Sequence, residues 1–210
     1  MNPFLDQGAK ALDIGAGSGA YTIPFAKIAR EVTVVEPSKG QIRRLTKKAE
    51  GLNNIKIINK RWEEVNREEL EEYDLVNAAY CFAMPDIKAA LEKMLSCTKN
   101  VLFLVTFAGS SLQPVLPLII PGYNPSPDYI YLYNLLYQMG IKANVEIITR
   151  RYLYPWELLQ KLWEQDYDIT PEGKEKALAY FQKNNLLVNQ DGALRIKCWY
   201  KDALIWYQRG

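Results

Sequence analysis

Along the first half of the chain, short apolar runs with little alternation are separated by stretches whose apolar positions recur every three or four residues. Unalternating runs rich in Val, Ile, Leu and Ala belong to strands buried on both faces, and the intervening spacing belongs to helices packed on one side. The pattern predicts strands at Ala9–Ile14, Val32–Glu36, Ile55–Asn59, Leu75–Ala79 and Val101–Phe107. Helices are predicted at Ala20–Ala29, Ser38–Ala49 and Asp86–Ser96, with Gly51 as a stop signal after the second. Strand and helix in alternation predict an α/β fold, a parallel sheet with helices on both faces.

The texture then changes. Gly109–Asp128 holds five prolines (Pro114, Pro117, Pro121, Pro125, Pro127) and reads as a long irregular surface loop. Ser126-Pro127-Asp128 reads as an N-cap, a proline at the first helical position and an acid in the first turn. The helix that follows runs to about Met139 and stops at Gly140. Val145–Thr149 is a sixth strand. Helices follow at Pro155–Gln165 and at Pro171–Lys183, the latter capped by Thr170. Leu194–Tyr200 and Ala203–Gln208 read as two edge strands, arranged as a hairpin around Lys201-Asp202. The expected organisation is one domain, residues 1–149 plus 192–210, with about seven strands. Residues 150–191 form a small helical insertion before the last strand, not an independent domain.

Composition narrows the chemistry. The 210 residues carry 26 Lys+Arg against 24 Asp+Glu, a net charge of +2 that does not point to a nucleic-acid or anionic-membrane partner. The longest apolar runs are far too short to cross a bilayer, and Met1–Leu12 has no basic flank ahead of an apolar run, so no signal peptide is read. Three widely spaced cysteines (Cys81, Cys97, Cys198) lack metal-ligand spacing and are read as reduced thiols of a cytoplasmic protein, with no metal site. There is no histidine, so an imidazole base, a Ser-His or Cys-His nucleophile and a His-based metal site are excluded.

The informative segment is Leu12-Asp13-Ile14-Gly15-Ala16-Gly17-Ser18-Gly19-Ala20-Tyr21, where the first strand meets the first helix. Glycines there permit a tight turn and let a ligand lie against the backbone. Glu36 ends the second strand, placed to accept hydrogen bonds from ribose hydroxyls. Gly15, Gly17 and Ala20 also satisfy the dinucleotide spacing, a weak match by itself. Asp13 two residues before Gly15, the G-x-G-x-G recurrence and the Pro-Ser after Glu36 favour a ligand bearing an amine or cation.

At these residues, and at Val34-Val35-Glu36-Pro37-Ser38 and Tyr73-Asp74-Leu75-Val76, the chain resembles a class I S-adenosylmethionine-dependent methyltransferase. The resemblance covers roughly the first half and is specific to the superfamily, not to a substrate. It implies a Rossmann-like fold with S-adenosylmethionine as cofactor. Gly15, Gly17 and Gly19, with Ala16 between them, would shape the wall against the methionine part and ribose. Asp13 would lie near the ammonium group, directly or through water. Glu36 would hold the ribose hydroxyls, and Ala79 at the end of the fourth strand completes the cofactor set. The family usually places an acid after the third strand to meet the adenine amino group. Here the stretch reads Asn59-Lys60-Arg61-Trp62-Glu63-Glu64, with Arg61 in that place. Either Glu63 takes the role, or the adenine is read by the Trp62 backbone and packing.

Methyl acceptance in this superfamily happens beyond the fourth strand, here Asn77–Asp86. The Asn/Asp-Pro-Pro-Tyr/Phe signature of enzymes that methylate nucleobase amines or glutamine is absent. Tyr80 and Asp86 are the weak catalytic candidates, and Cys81 reads as a small buried apolar residue. The Gly109–Gly140 segment is the best acceptor-pocket candidate, with Tyr129, Tyr133 and Tyr137 on one helical stripe. The expected reaction is methylation of a small apolar or aromatic molecule. RNA or protein methylation is the alternative, with Arg43, Arg44, Lys47, Lys48, Lys60 and Arg61 as the basic cluster; a non-catalytic cofactor-binding partner protein is another. Relatives usually have a helix ahead of the first strand, over the cofactor. That cover would come from the 109–128 loop, the insertion, a homodimer or partner chain, or a natural start upstream of Met1.

Overall fold

The computed structural model describes residues 4–125, 127–167 and 169–210, so the expected cap at Ser126 lies outside the described residues. The strands are β1 (Lys10–Ile14), β2 (Glu31–Val35), β3 (Ile55–Ile58), β4 (Tyr73–Ala79), β5 (Thr98–Ser110), β6 (Asn144–Pro155), β7 (Leu187–Gln190) and β8 (Ala193–Gln208). The helices are α1 (Thr22–Ala26), α2 (Lys39–Lys48), α3 (Ile87–Cys97), α4 (Leu116–Ile119), α5 (Tyr129–Gln138), α6 (Trp156–Asp166) and α7 (Pro171–Lys183). Hydrogen bonding orders the sheet β3-β2-β1-β4-β5-β8-β6, and β7 pairs antiparallel with β8. Neighbours from β3 to β5 are parallel. The α/β fold with a central sheet is therefore as the alternating pattern predicts.

The chain forms two compact units. Unit 1 takes residues up to Thr106, Tyr131–Glu146 and Ala203–Gly210; unit 2 takes Phe107–Ile130 and Ile147–Asp202. In unit 1, β1 and β2 are buried at every position but their first, which is why they read as continuous apolar runs. Leu12, Val32, Val34, Leu75 and Val101 are among the fully enclosed side chains of this core. The core of unit 2 gathers Leu112, Val115, Ile119, Leu159, Trp163, Ala177, Phe181, Ile196 and Cys198. Among the described residues no helix is long and apolar enough to cross a membrane.

The structure departs from the sequence reading in three places. The 109–128 stretch is not a structureless loop. Strand β5 reaches Ser110, and Leu112, Val115, Leu116 and Ile119 fall at i, i+3, i+4 and i+7, three of them buried and Leu116 packed against the same core, the last two of them in α4. The prolines hide this signal, but Pro117 sits in the first turn of α4, where the missing N–H costs nothing. The hairpin lies at Asp191-Gly192, both at positive φ, and not at Lys201-Asp202. Strand β8 runs straight through Asp202 because that buried carboxylate pairs with Arg150 on β6, Nε to Oδ2 2.6 Å. The stretch 150–191 is not purely helical, since β6 extends into it to Pro155 and β7 occupies its end. Helix α5 turns Leu132 and Leu136 inward and leaves Tyr137 65% exposed, the arrangement of a packed helix with tyrosines at its border.

Candidate functional site

Three glycines at positive φ shape the connection from β1 to α1: Gly15 at 66°, Gly17 at 55° and Gly19 at 88°. Only glycine adopts this region without strain. Two of them are also close approaches. A Cβ on Gly15 would lie 2.5 Å from Cys81 Cβ, and one on Gly19 would lie 2.4 Å from Leu45 Cδ1. Gly17 is different, because a Cβ there meets nothing within 4 Å. That position faces open space.

Glu36 clamps this loop. Its Oε2 accepts the Gly17 N–H at 2.8 Å and its Oε1 accepts the Ser38 N–H at 2.8 Å. The carboxylate is 6% exposed, and an ionised carboxylate has about four lone-pair directions, so acceptor capacity remains after both bonds. The Gly15 N–H is tied to Val35 O at 2.8 Å, joining the loop to the end of β2. Helix α1 has five residues instead of the expected ten. Asn54 ends it early by donating to Ala26 O at 2.8 Å and Ala29 O at 2.9 Å. So short a helix adds little dipole, and the loop is held by Glu36.

Asp13 sits one layer below, 1% exposed. Thr22 Oγ1 donates to its Oδ2 at 2.5 Å and Asn77 Nδ2 to its Oδ1 at 2.8 Å, the latter across the β1–β4 pairing that sets the two residues side by side. Pointing the Asn77 amide nitrogen at the carboxylate leaves Asn77 Oδ1 buried without a partner among the described residues. A flipped amide would set oxygen against oxygen.

Burial pushes the Asp13 carboxyl up to about 6, opposed by the Thr22 and Asn77 hydrogen bonds. A folded-state value above the ordinary 3.8 means the proton is held more tightly in the folded chain. This residue's contribution to stability is thus fully present below about 3.8 and lost as pH rises through about 6, a swing of about 3 kcal/mol. Asp13→Asn is expected to gain stability against the parent by that order between pH 4 and pH 7 in urea titrations. Parallel pH profiles of the two proteins would show that no such carboxyl is strained.

A cavity of about 350 Å³ opens at the carboxyl ends of β1, β2 and β4 in unit 1. Strand order reverses at β1, so this is the crevice where open α/β sheets bind ligands. Of the residues expected to hold a cofactor, Gly15, Trp62 and Glu63 line it. Asp13, Ala16, Gly17, Gly19, Glu36 and Ala79 are not in its wall, although Val35, Pro37 and Ser38 beside Glu36 are. The Trp62 side chain is buried, its Nε1 donating to Ala90 O at 3.1 Å with Lys93 Nζ 4.6 Å from the ring centre. Arg61 also lines the cavity, and Glu64 accepts the Arg61 N–H at 3.0 Å, turning the chain so that Glu63 is exposed.

Tyr80 and Asp86 lie outside the cavity wall. Tyr80 holds a positive φ of 55°, and Asp86 caps α3 by accepting the Ala89 N–H at 2.9 Å. The sequence reading missed Ala83 and Met84 as lining residues and gave Cys81 only a packing role. Cys81 does both, its Sγ donating to Ile14 O at 3.3 Å, with burial pushing the thiol up to about 12. The signal that would find them is position, just past the carboxyl end of a strand next to β1.

A family profile described as a methyltransferase domain matches residues 11–100, which contain this whole site. A Haemophilus influenzae protein described as uncharacterized is 30% identical over 99% of this chain and 78% of its own length. Among solved structures, the YcgJ protein of Bacillus subtilis superposes with a TM-score of 0.68 at 14% identity, covering 98% of this chain and 93% of that one. Magnesium protoporphyrin IX methyltransferase of Synechocystis with bound S-adenosylhomocysteine superposes with a TM-score of 0.58 at 14% identity, covering 97% and 75%. At such identities the likeness is one of fold, and it agrees with the glycine loop, its clamping acid and the matched profile. Residues 11–100 thus match a methyltransferase-domain profile, and the chain has the Rossmann-like fold of the methyltransferase structures it superposes on.

Proposed function

We propose that this protein transfers the methyl group of S-adenosylmethionine to a small apolar or aromatic molecule. The observation that carries the cofactor part is the Gly17 position, two residues from the cavity wall at Gly15, where a Cβ would meet nothing within 4 Å and where the N–H is fixed by the buried Glu36 carboxylate. The residues fit the cofactor. Glu36 has lone pairs left for ribose hydroxyls, the Gly15–Gly19 backbone lets the methionine part approach without a side chain between, and Glu63 at the cavity wall is an acceptor for an adenine amino group. Asp13 acts through Thr22 and Asn77, holding β1, β4 and the start of α1 in one arrangement beneath the loop. Its burial places any influence on the ammonium group through the loop or a water.

When bound, the cofactor supplies a sulfonium-activated methyl group for direct displacement. The chain then has to align the acceptor and exclude water, from which much of such a rate arises. With no histidine, deprotonation of an acceptor falls to a carboxylate, a phenol or solvent. Side-by-side calorimetric titration with S-adenosylmethionine, S-adenosylhomocysteine and NAD tests the cofactor part. Micromolar binding of the first two and none of NAD is expected, whereas NAD binding alone would overturn the reading.

RNA methylation is the second reading, supported by α2, which carries exposed Arg43, Arg44, Lys47 and Lys48 and no acidic residue. Filter binding to a structured RNA at rising salt separates the two. Neutralising several phosphates would show as a steep loss of affinity with salt, while the small-molecule reading expects only weak, shallow binding.

A further inference from the structure

Unit 2 contains a second cavity, of about 290 Å³, to which neither the matched profile nor the glycine loop contributes a residue. Five rings line it: Phe107, Tyr123, Trp163, Tyr167 and Tyr200. No charged side chain is in its wall. Trp163 is fixed from behind, stacked on Phe181 with centroids 6.3 Å apart and a 21° interplanar angle, and edge-on to Trp156 at 6.0 Å. A ring so held cannot fold into the space beside it.

Polar contacts are few and directed. Gln113 Oε1 accepts the Ser110 N–H at 3.2 Å, which leaves the two donors of its amide nitrogen without a partner among the described residues. Ser110 Oγ accepts the Leu112 N–H at 3.0 Å and hydrogen-bonds the Tyr200 phenol. Burial pushes the Tyr200 phenol up to about 12, so it is neutral at physiological pH.

We propose that this cavity is a binding site for an uncharged, flat molecule of one or two fused rings that carries a hydrogen-bond acceptor for Gln113. Ring faces attract ring faces in offset or edge-on contact. An ion would enter without a counter-charge, a large desolvation cost. The volume lies at the small end of ligand pockets, which sets the ring count. The inference goes beyond the methyl-transfer reading and holds for unit 2 whether or not the bound molecule is methylated.

The test is calorimetry on the full chain at pH 7 with 2-naphthol and, as the charged counterpart of the same shape, 2-naphthoate. Saturable binding of 2-naphthol at about 1 mM or tighter is expected, with 2-naphthoate at least tenfold weaker. Gln113→Leu is expected to weaken 2-naphthol about tenfold. Leu162→Glu, which sets a carboxylate at a partly exposed wall position, is expected to do the same without disturbing the core. Both variants should bind S-adenosylhomocysteine as the parent does. No saturable binding of 2-naphthol, equal binding of the naphthoate, or unchanged affinity in both variants overturns the proposal. Failure of S-adenosylhomocysteine to bind the parent overturns instead the reading of unit 1.

Discussion

Glu36→Ala is expected to weaken S-adenosylhomocysteine binding by at least about 100-fold, close to 3 kcal/mol. The carboxylate accepts the Gly17 and Ser38 backbone amides, and a hydrogen bond to a charged group is worth about 1.5–3 kcal/mol. Removing both frees the loop at the one glycine that faces open space, and removes the ribose acceptor with it. Glu36→Gln is the sharper variant. Its single oxygen can keep one amide, while its NH₂ would oppose the other N–H, so an intermediate loss of about tenfold is expected. Calorimetry measures both affinities and thermal unfolding separates loss of fold from loss of site. An alanine variant that binds within about threefold of the parent would reduce Glu36 to a helix-entry acid.

The glycines of one motif are expected to fail in different ways. Gly15→Ala presses a Cβ to 2.5 Å from Cys81 Cβ at a positive φ, which should destabilise the fold by about 3 kcal/mol. Gly17→Ala meets nothing and carries only the φ penalty, about 1 kcal/mol, yet its methyl group stands where the ligand would lie. Its stability should therefore be nearly intact and its cofactor affinity more than tenfold lower. Adding Cys81→Gly should recover part of the Gly15→Ala loss, since the obstructing atoms belong to Cys81, and should recover none of the Gly17→Ala loss. Denaturation midpoints and calorimetric affinities of the two single and two double variants check this. Equal affinity losses at Gly15 and Gly17 in stably folded variants would sink the distinction.

The parts of the fold legible in the sequence are those where local pattern and burial agree. Strands β1, β2 and β4 are enclosed on both faces, so their composition alone marks them, and the loop between β1 and α1 needs glycines that nothing else can replace. Where a local signal serves a distant partner, it misleads. Lys201-Asp202 has turn composition, but Asp202 pairs with Arg150, about fifty residues away in sequence. Asp191-Gly192 is the stronger turn signal, and the short, mixed strands flanking it obscure the hairpin. The prolines of 109–128 masked a helical spacing that only the core of unit 2 gives a reason to exist.

The site divides along the same line. By itself the sequence determined the sheet, the glycine loop and its acid at the end of β2, because each depends on backbone conformations and burial set within a few residues. Tertiary structure alone decided which residues around that motif line the cavity. Asp13 reads as a ligand contact yet is closed off by Thr22 and Asn77, and the Trp62 ring packs in the interior, donating to Ala90. Cys81, Ala83 and Met84 join the cavity because parallel pairing sets the end of β4 beside the end of β1, a contact about 65 residues apart that no local pattern encodes.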